Sequence, residues 1–185
     1  APRAGSGPVQ VSLAQQRMWF INQLDTASPA YNIPVGIRLR GTLDVEALRT
    51  AVSDVLTRHE SLRTVFPNTP NGPIQVVLPV ADVSPPLDAV EVAENELESR
   101  LIADAAAGFD VTVEPPIRAQ LYRTATDDHV LVFVVHHIAA DGLSMTPLTR
   151  DVMVAYHARA AGDTPQWSPL EVQYADFAVW QRELL

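Results

Sequence analysis

Two rhythms of apolar residues run along the chain, and their alternation predicts its elements. Asn32 to Arg40 alternates, with Ile33, Val35, Ile37 and Leu39 on one side and Gly36, Arg38 and Arg40 on the other. That period of two is the mark of a half-buried strand. Val45, Leu48, Val52, Val55 and Leu56 follow Asp44 at helical spacing and predict a helix capped by Asp44 and ending near His59. Ser12-Leu13-Ala14-Gln15 has the spacing of a capping box and opens a helix that must stop before Pro29. Residues 62–66 and 74–78 read as short paired strands around a turn rich in Asn, Pro and Gly. A helix follows over residues 91–107, with Gly108 placed to end it. Residues 117–123 and 129–135 read as two more strands. The second carries Val130-Leu131-Val132-Phe133-Val134-Val135, apolar on both faces, and so predicts a central strand covered on each side. Ser144 can cap a helix running to about Ala161, with Gly162 beyond it, and a last amphipathic stretch spans residues 172–185. Residues 1–11, with two prolines, two glycines and no apolar period, read as a linker. Alternating β and α elements around a doubly covered strand define an α/β fold of two or three layers.

Composition narrows the classes of function. With 185 residues, 47% of them hydrophobic, the chain can build one compact core. No apolar run reaches the roughly 18 residues of a membrane span, so the sequence predicts no membrane partner and a cytoplasmic setting. Net charge is −9, and the 13 Lys and Arg do not cluster among aromatics, which argues against nucleic acid as a partner. Cysteine is absent, so disulfides and thiolate ligands are excluded and any thiol chemistry must arrive on a partner or substrate.

The chemistry concentrates directly after the central strand, at His136-His137-Ile138-Ala139-Ala140-Asp141-Gly142. Successive strand residues point to opposite faces, so only one imidazole of the pair can face a substrate while the other faces the protein. An imidazole can take a proton from an attacking group at neutral pH. With no cysteine and no Gly-x-Ser-x-Gly elbow, direct transfer is simpler than a covalent intermediate. Asp141 either holds an imidazole tautomer or simply makes an Asp-Gly turn, and the residues alone leave both open. A metal site is a third reading, weakened because adjacent histidines diverge in a strand and no further ligand set sits at helical spacing.

The His136-His137-x-x-x-Asp141-Gly142 run resembles the signature of nonribosomal peptide synthetase condensation domains. Three further segments resemble family motifs in the same order: Ser12 through Trp19, Arg58 through Phe66, and Tyr174 through Gln181. The resemblance implies a chloramphenicol-acetyltransferase-like lobe over residues 12–185, the N-terminal one of two. The active site would lie in a tunnel between the lobes, the C-terminal lobe being absent from these residues. It further implies amide formation between a donor thioester and an acceptor amine. Both are carried on phosphopantetheine arms of partner carrier domains, with no cofactor bound to the lobe itself. A non-catalytic docking or scaffold module for carrier domains is the alternative. Position by position, His137 matches the catalytic histidine, as base or as orienter of the amine. His136, Asp141 and Arg63 match structural positions, Arg63 as ion-pair partner of Asp141. Gly142, Ser144 and Met145 match positions along the substrate tunnel, although Ser144 could serve only as a helix cap and Gly142 only for a positive φ. Leu143-Ser144-Met145 and Arg150-Asp151 look most like domains joining an L-configured donor to an L-configured acceptor.

Overall fold

The computed structural model describes residues 9–184. Its elements, in chain order, are β1 (Val9–Gln10), α1 (Leu13–Leu24), β2 (Asn32–Arg40), α2 (Val45–Arg58), β3 (Thr64–Val65), β4 (Asn68–Thr69) and β5 (Gly72–Val77). There follow α3 (Val80–Val83), β6 (Ala89–Glu91), α4 (Glu94–Ala106), β7 (Ile117–Ala125), β8 (Asp128–His136), α5 (Met145–Ala160) and α6 (Tyr174–Glu183). Short 3-10 turns at Glu60–Arg63 and Gly142–Ser144 precede β3 and α5.

The main sheet runs β2-β8-β7-β6, antiparallel except for the parallel pairing of β6 with β7. β8 lies between β2 and β7 and is buried on both faces, as its unbroken apolar run requires. Its residues divide by parity. Leu131, Phe133 and Val135 enter one core with Leu48, Val52 and Val55 of α2 and Leu148 and Val152 of α5. Val130, Val132 and Val134 enter a second core with Met18 and Trp19 of α1, Leu97 of α4 and Phe109. The result is a three-layer α/β sandwich with one helical pair on each face of the sheet. Each fully buried Val, Leu or Phe contributes roughly 1.5–3 kcal/mol, so the site at the end of β8 stands on the most heavily stabilised strand.

Local chemistry explains the helix starts. Ser12 accepts from Gln15 N–H at 3.2 Å while its own N–H donates to Gln15 Oε1 at 2.9 Å, a complete capping box. Asp44 accepts from Ala47 N–H at 2.9 Å.

Several boundaries differ from the sequence expectation. Residues 1–8 of the expected linker lie outside the described residues. Val9–Gln10 pair with Gln75 and Ile74 instead of continuing it, and Val11 is 1% exposed in the second core. Leu62 sits in the 3-10 turn, and the strand begins only at Thr64. Residues 89–91 form a parallel edge strand, and the helix starts at Glu94. Gly108 does not use a left-handed φ to end that helix. A Cβ there would lie 2.2 Å from Thr26 O, so the residue must be glycine to let two backbones touch.

Candidate active site at the end of the central strand

β8 carries its backbone ladder to the motif. His136 N–H donates to Pro116 O at 2.9 Å and His137 N–H to Tyr31 O at 2.8 Å, so both histidines are fixed at the backbone by neighbouring segments. Their side chains then part. His136 is 1% exposed, its ring 5.9 Å from that of Phe109 in an edge-to-face arrangement and 6.2 Å from that of Tyr31. Its Nδ1 accepts from Ile138 N–H at 3.1 Å, which places the proton of the neutral ring on Nε2. Burial, reinforced by the charge of neighbouring His137, pushes this imidazole down to about 4. His136 is therefore a neutral, sealed ring under the turn. His137 is half-buried at the start of that turn, and its ring has no hydrogen-bond partner among the described residues.

Asp141 is exposed and spends its carboxylate on the next turn. Oδ1 accepts from Ser144 N–H at 2.9 Å and from Ser144 Oγ–H at 2.6 Å. The hydrogen bonds from the Ser144 hydroxyl and backbone, helped by its own backbone N–H and nearby His137, hold this carboxyl below the usual carboxylate range against the opposing pull of burial. Asp141 is thus the cap, and Ser144 makes no side-chain cap to α5. Gly142 has no positive φ, and nothing lies within 4 Å of where a Cβ would stand. The backbone requirement for glycine is absent, and the space beside it is open.

The expected ion pair between Arg63 and Asp141 is not formed. Arg63 Nε donates to Leu56 O at 2.9 Å and its Nη1 to Leu78 O at 2.7 Å, so the guanidinium ties the end of α2 to the end of β5. The physical reason is its place in a 3-10 turn beside two free carbonyls, which it satisfies in place of a carboxylate.

An ion pair does tie the Arg58–Phe66 segment to α5, the helix after the motif turn, through other residues. Asp151, whose side chain is 6% exposed, accepts from Arg58 Nε at 3.1 Å and His59 Nε2 at 2.8 Å through Oδ2, and from Arg150 at Oδ1. Burial pushes this carboxyl up. Hydrogen bonds from His59 and Arg150 and the nearby positive charges outweigh it and hold the group below its ordinary value. Sequence reading did not single out this cluster, yet it left a signal. Asp151 falls between Leu148 and Ala155 on the apolar stripe of α5, and a charge in such a stripe demands buried partners.

A pocket of about 200 Å³ opens beside the motif turn, between the Glu60–Arg63 turn and the first turn of α5. Its walls include His59, Leu62, Ala140, Ser144, Met145 and Leu148. Met145 and Ser144 share one cavity, and His137 and Gly142 do not line it. Among the described residues, no group of three or more His, Asp or Glu is placed to hold a metal ion, and no helix is long and apolar enough to cross a membrane.

The arrangement is a three-layer α/β lobe that presents a histidine pair and a capped Asp-Gly turn at the end of its central strand. The Condensation domain family model matches residues 6–185, and the chain belongs to that family. It is 48% identical over 177 residues to a dimodular nonribosomal peptide synthase of Bacillus subtilis (strain 168), covering 96% of this chain and 7% of the relative. It is 49% identical over 180 residues to an isonitrile lipopeptide synthase of Mycobacterium tuberculosis (strain ATCC 25618 / H37Rv), again 96% of this chain and 7% of the relative. Among solved structures, the X-domain from teicoplanin biosynthesis in complex with OxyB superposes with a TM-score of 0.91 at 37% identity, over 98% of this chain and 39% of that one. The starter condensation domain of rhizomide synthetase superposes with a TM-score of 0.84 at 20% identity, over 97% of this chain and 44% of that one, a likeness of fold alone. The fold is the chloramphenicol-acetyltransferase-like α/β architecture of condensation domains. The chain spans a small fraction of these curated relatives and less than half of the solved chains.

Proposed function

We propose that this lobe supplies the catalytic histidine of a condensation domain that forms an amide between two carrier-bound substrates. The acceptor amine attacks the thioester carbonyl of the donor, the C–N bond forms, the C–S bond breaks, and the amine proton is lost as the donor's thiol is released. His137 takes that proton or orients the amine. The observation that carries the reading is the division between the two rings: His136 is buried, neutral and bonded through Nδ1, while His137 stands at the strand end with no hydrogen-bond partner for its ring among the described residues. General-base assistance of this kind is worth about 10² to 10⁴ in rate.

The substrates are tethered to the phosphopantetheine arms of donor and acceptor carrier domains, and a second lobe completes the tunnel. Aligning two tethered substrates needs both walls, so the lone lobe is silent. Leu143-Ser144-Met145 supports an L-donor, L-acceptor pairing. A condensation assay with loaded carrier domains tests the reading, run with the lobe alone, with the lobe in its synthetase, and with His137→Ala in both. Turnover is expected only in the synthetase with His137 intact. Undiminished turnover in the His137→Ala synthetase would sink the assignment.

A second reading, a docking module, is favoured by one observation: the X-domain likeness at 37% identity belongs to a protein solved in complex with OxyB. It predicts carrier-domain binding without turnover even in the complete synthetase.

A further inference from the structure

The cavity beside the motif turn is small and opens to solvent on one part of its boundary. Its volume, about 200 Å³, lies below the roughly 300–1,000 Å³ of sites that engulf whole drug-sized ligands. Its lining is mostly apolar and includes Leu62, Ala140, Met145 and Leu148, with His59, Ser61 and Ser144 as its polar members. Two observations separate it from an incidental gap. One wall is locked: His59 Nε2 is held at 2.8 Å by Asp151, which is itself buried and clamped by Arg58 and Arg150, so the ring cannot swing in to fill the space. Another part of the lining belongs to the segment that follows His137, since Ala140 and Ser144 lie on either side of Asp141 in the chain. A group seated in the cavity is thereby referred to the histidine through a short, capped stretch of backbone.

We propose that this cavity is a specificity subsite for one compact apolar side chain of the substrate, of about the size of a branched aliphatic residue, with Met145 and Ala140 setting its depth. The inference rests on the condensation reading for the word substrate, but its binding test does not depend on turnover. A hydrophobic pocket discriminates by fit, and one methylene more or less is worth about 10- to 200-fold. Ala140 and Met145 are both half-buried at the edge of the first core, so changing them alters the space without replacing a fully buried residue.

The test measures dissociation constants of non-hydrolysable amide isosteres of alanyl, leucyl and tryptophyl N-acetylcysteamine thioesters with the 185-residue chain, by methyl NMR of Met145, Leu62 and Leu148. The parent should prefer the leucyl probe by about tenfold or more over both others. Ala140→Leu should fill the pocket and move the preference to the alanyl probe. Met145→Ala should enlarge it and admit the tryptophyl probe, with Leu62 and Leu148 signals reporting in place of the lost methionine. Opposite shifts from two variants cannot come from general loosening of the fold, and if one variant fails to fold, the other still reads the size rule. Affinities that ignore side-chain size in the parent, or a size order moved by neither folded variant, would overturn the subsite. Size-dependent binding with no His137-dependent turnover in the synthetase would leave the subsite standing and remove the condensation reading. Turnover with no size-dependent binding would do the reverse.

Discussion

Asp141 and Asp151 flank the start of α5 and are held in opposite ways. Asp141 is exposed and closes a local circuit with Ser144, its partners three residues away. Asp151 is buried and gathers Arg58 and His59 from the end of α2, more than ninety residues away, together with adjacent Arg150. Both carboxyls are held below their ordinary range, but hydrogen bonds from one turn do this for Asp141, whereas for Asp151 cationic partners overcome a burial penalty. A lowered carboxyl therefore does not by itself distinguish a cap from a structural ion pair. What separates them is what would be stranded on removal. Without Asp141, one exposed N–H and a hydroxyl turn to water. Without Asp151, the Arg58 guanidinium, 14% exposed and stacked 4.9 Å from the Trp167 ring centroid, loses its anion inside the protein.

The sharpest way to break this comparison is Asp151→Ala, which we expect to destabilise the lobe by about 3 kcal/mol in urea denaturation, the lower end for a broken buried pair. Arg150, 67% exposed, adds little to that figure. A loss no larger than that of Asp141→Ala would show that the Arg58 pair is solvated in practice. Acid sharpens the same point. The folded Asp151 carboxyl titrates below its unfolded value near 3.9, so its stabilisation is present above about pH 4 and is lost as pH falls through the folded value. Asp151→Asn should therefore flatten the fall of stability below pH 4, measured as urea midpoints across the acid range, and an unchanged slope would contradict the pair. Asp141→Ala should cost about 1 kcal/mol, the ordinary loss of a cap, because no buried charge is left behind.

How much of this is legible in the sequence depends on whether the signal is local. β8 was readable because six consecutive apolar residues, four of them β-branched valines, are too short for a buried helix and suit a strand covered on both faces, and the parity of a strand end already required the two histidines to part. α1 and α2 were readable from caps that act within one turn. β6 was not, since its three residues are all exposed and carry no period, and only the neighbouring β7 makes them a strand. The Arg63 pairing failed for a related reason: a motif places a guanidinium near the site but does not say which acceptors its 3-10 turn will offer, and two backbone carbonyls take its hydrogen bonds. Asp151 was within reach, as a charge in the apolar stripe of α5, but its partners were not. The cavity joins Leu62 to Met145 across a long stretch of sequence, a juxtaposition that no periodicity encodes.

The smallest expected effect on the fold concerns Gly142, between the two carboxylates. A glycine after Asp suggests a left-handed turn, where any side chain would be strained. Here φ is not positive and nothing lies within 4 Å of the Cβ position, so the backbone does not need glycine. Gly142→Ala should change stability by less than about 0.5 kcal/mol in thermal or urea melts, the scale of an exposed substitution away from special geometry. Gly142→Leu should do little more, because its side chain extends into open space. If the residue instead keeps room for a substrate, turnover in the complete synthetase should fall from glycine to alanine to leucine while the melting curves stay together. Equal loss of turnover in both variants, accompanied by equal loss of stability, would return the glycine to a backbone role and make the Asp141 turn tighter than its open surroundings imply.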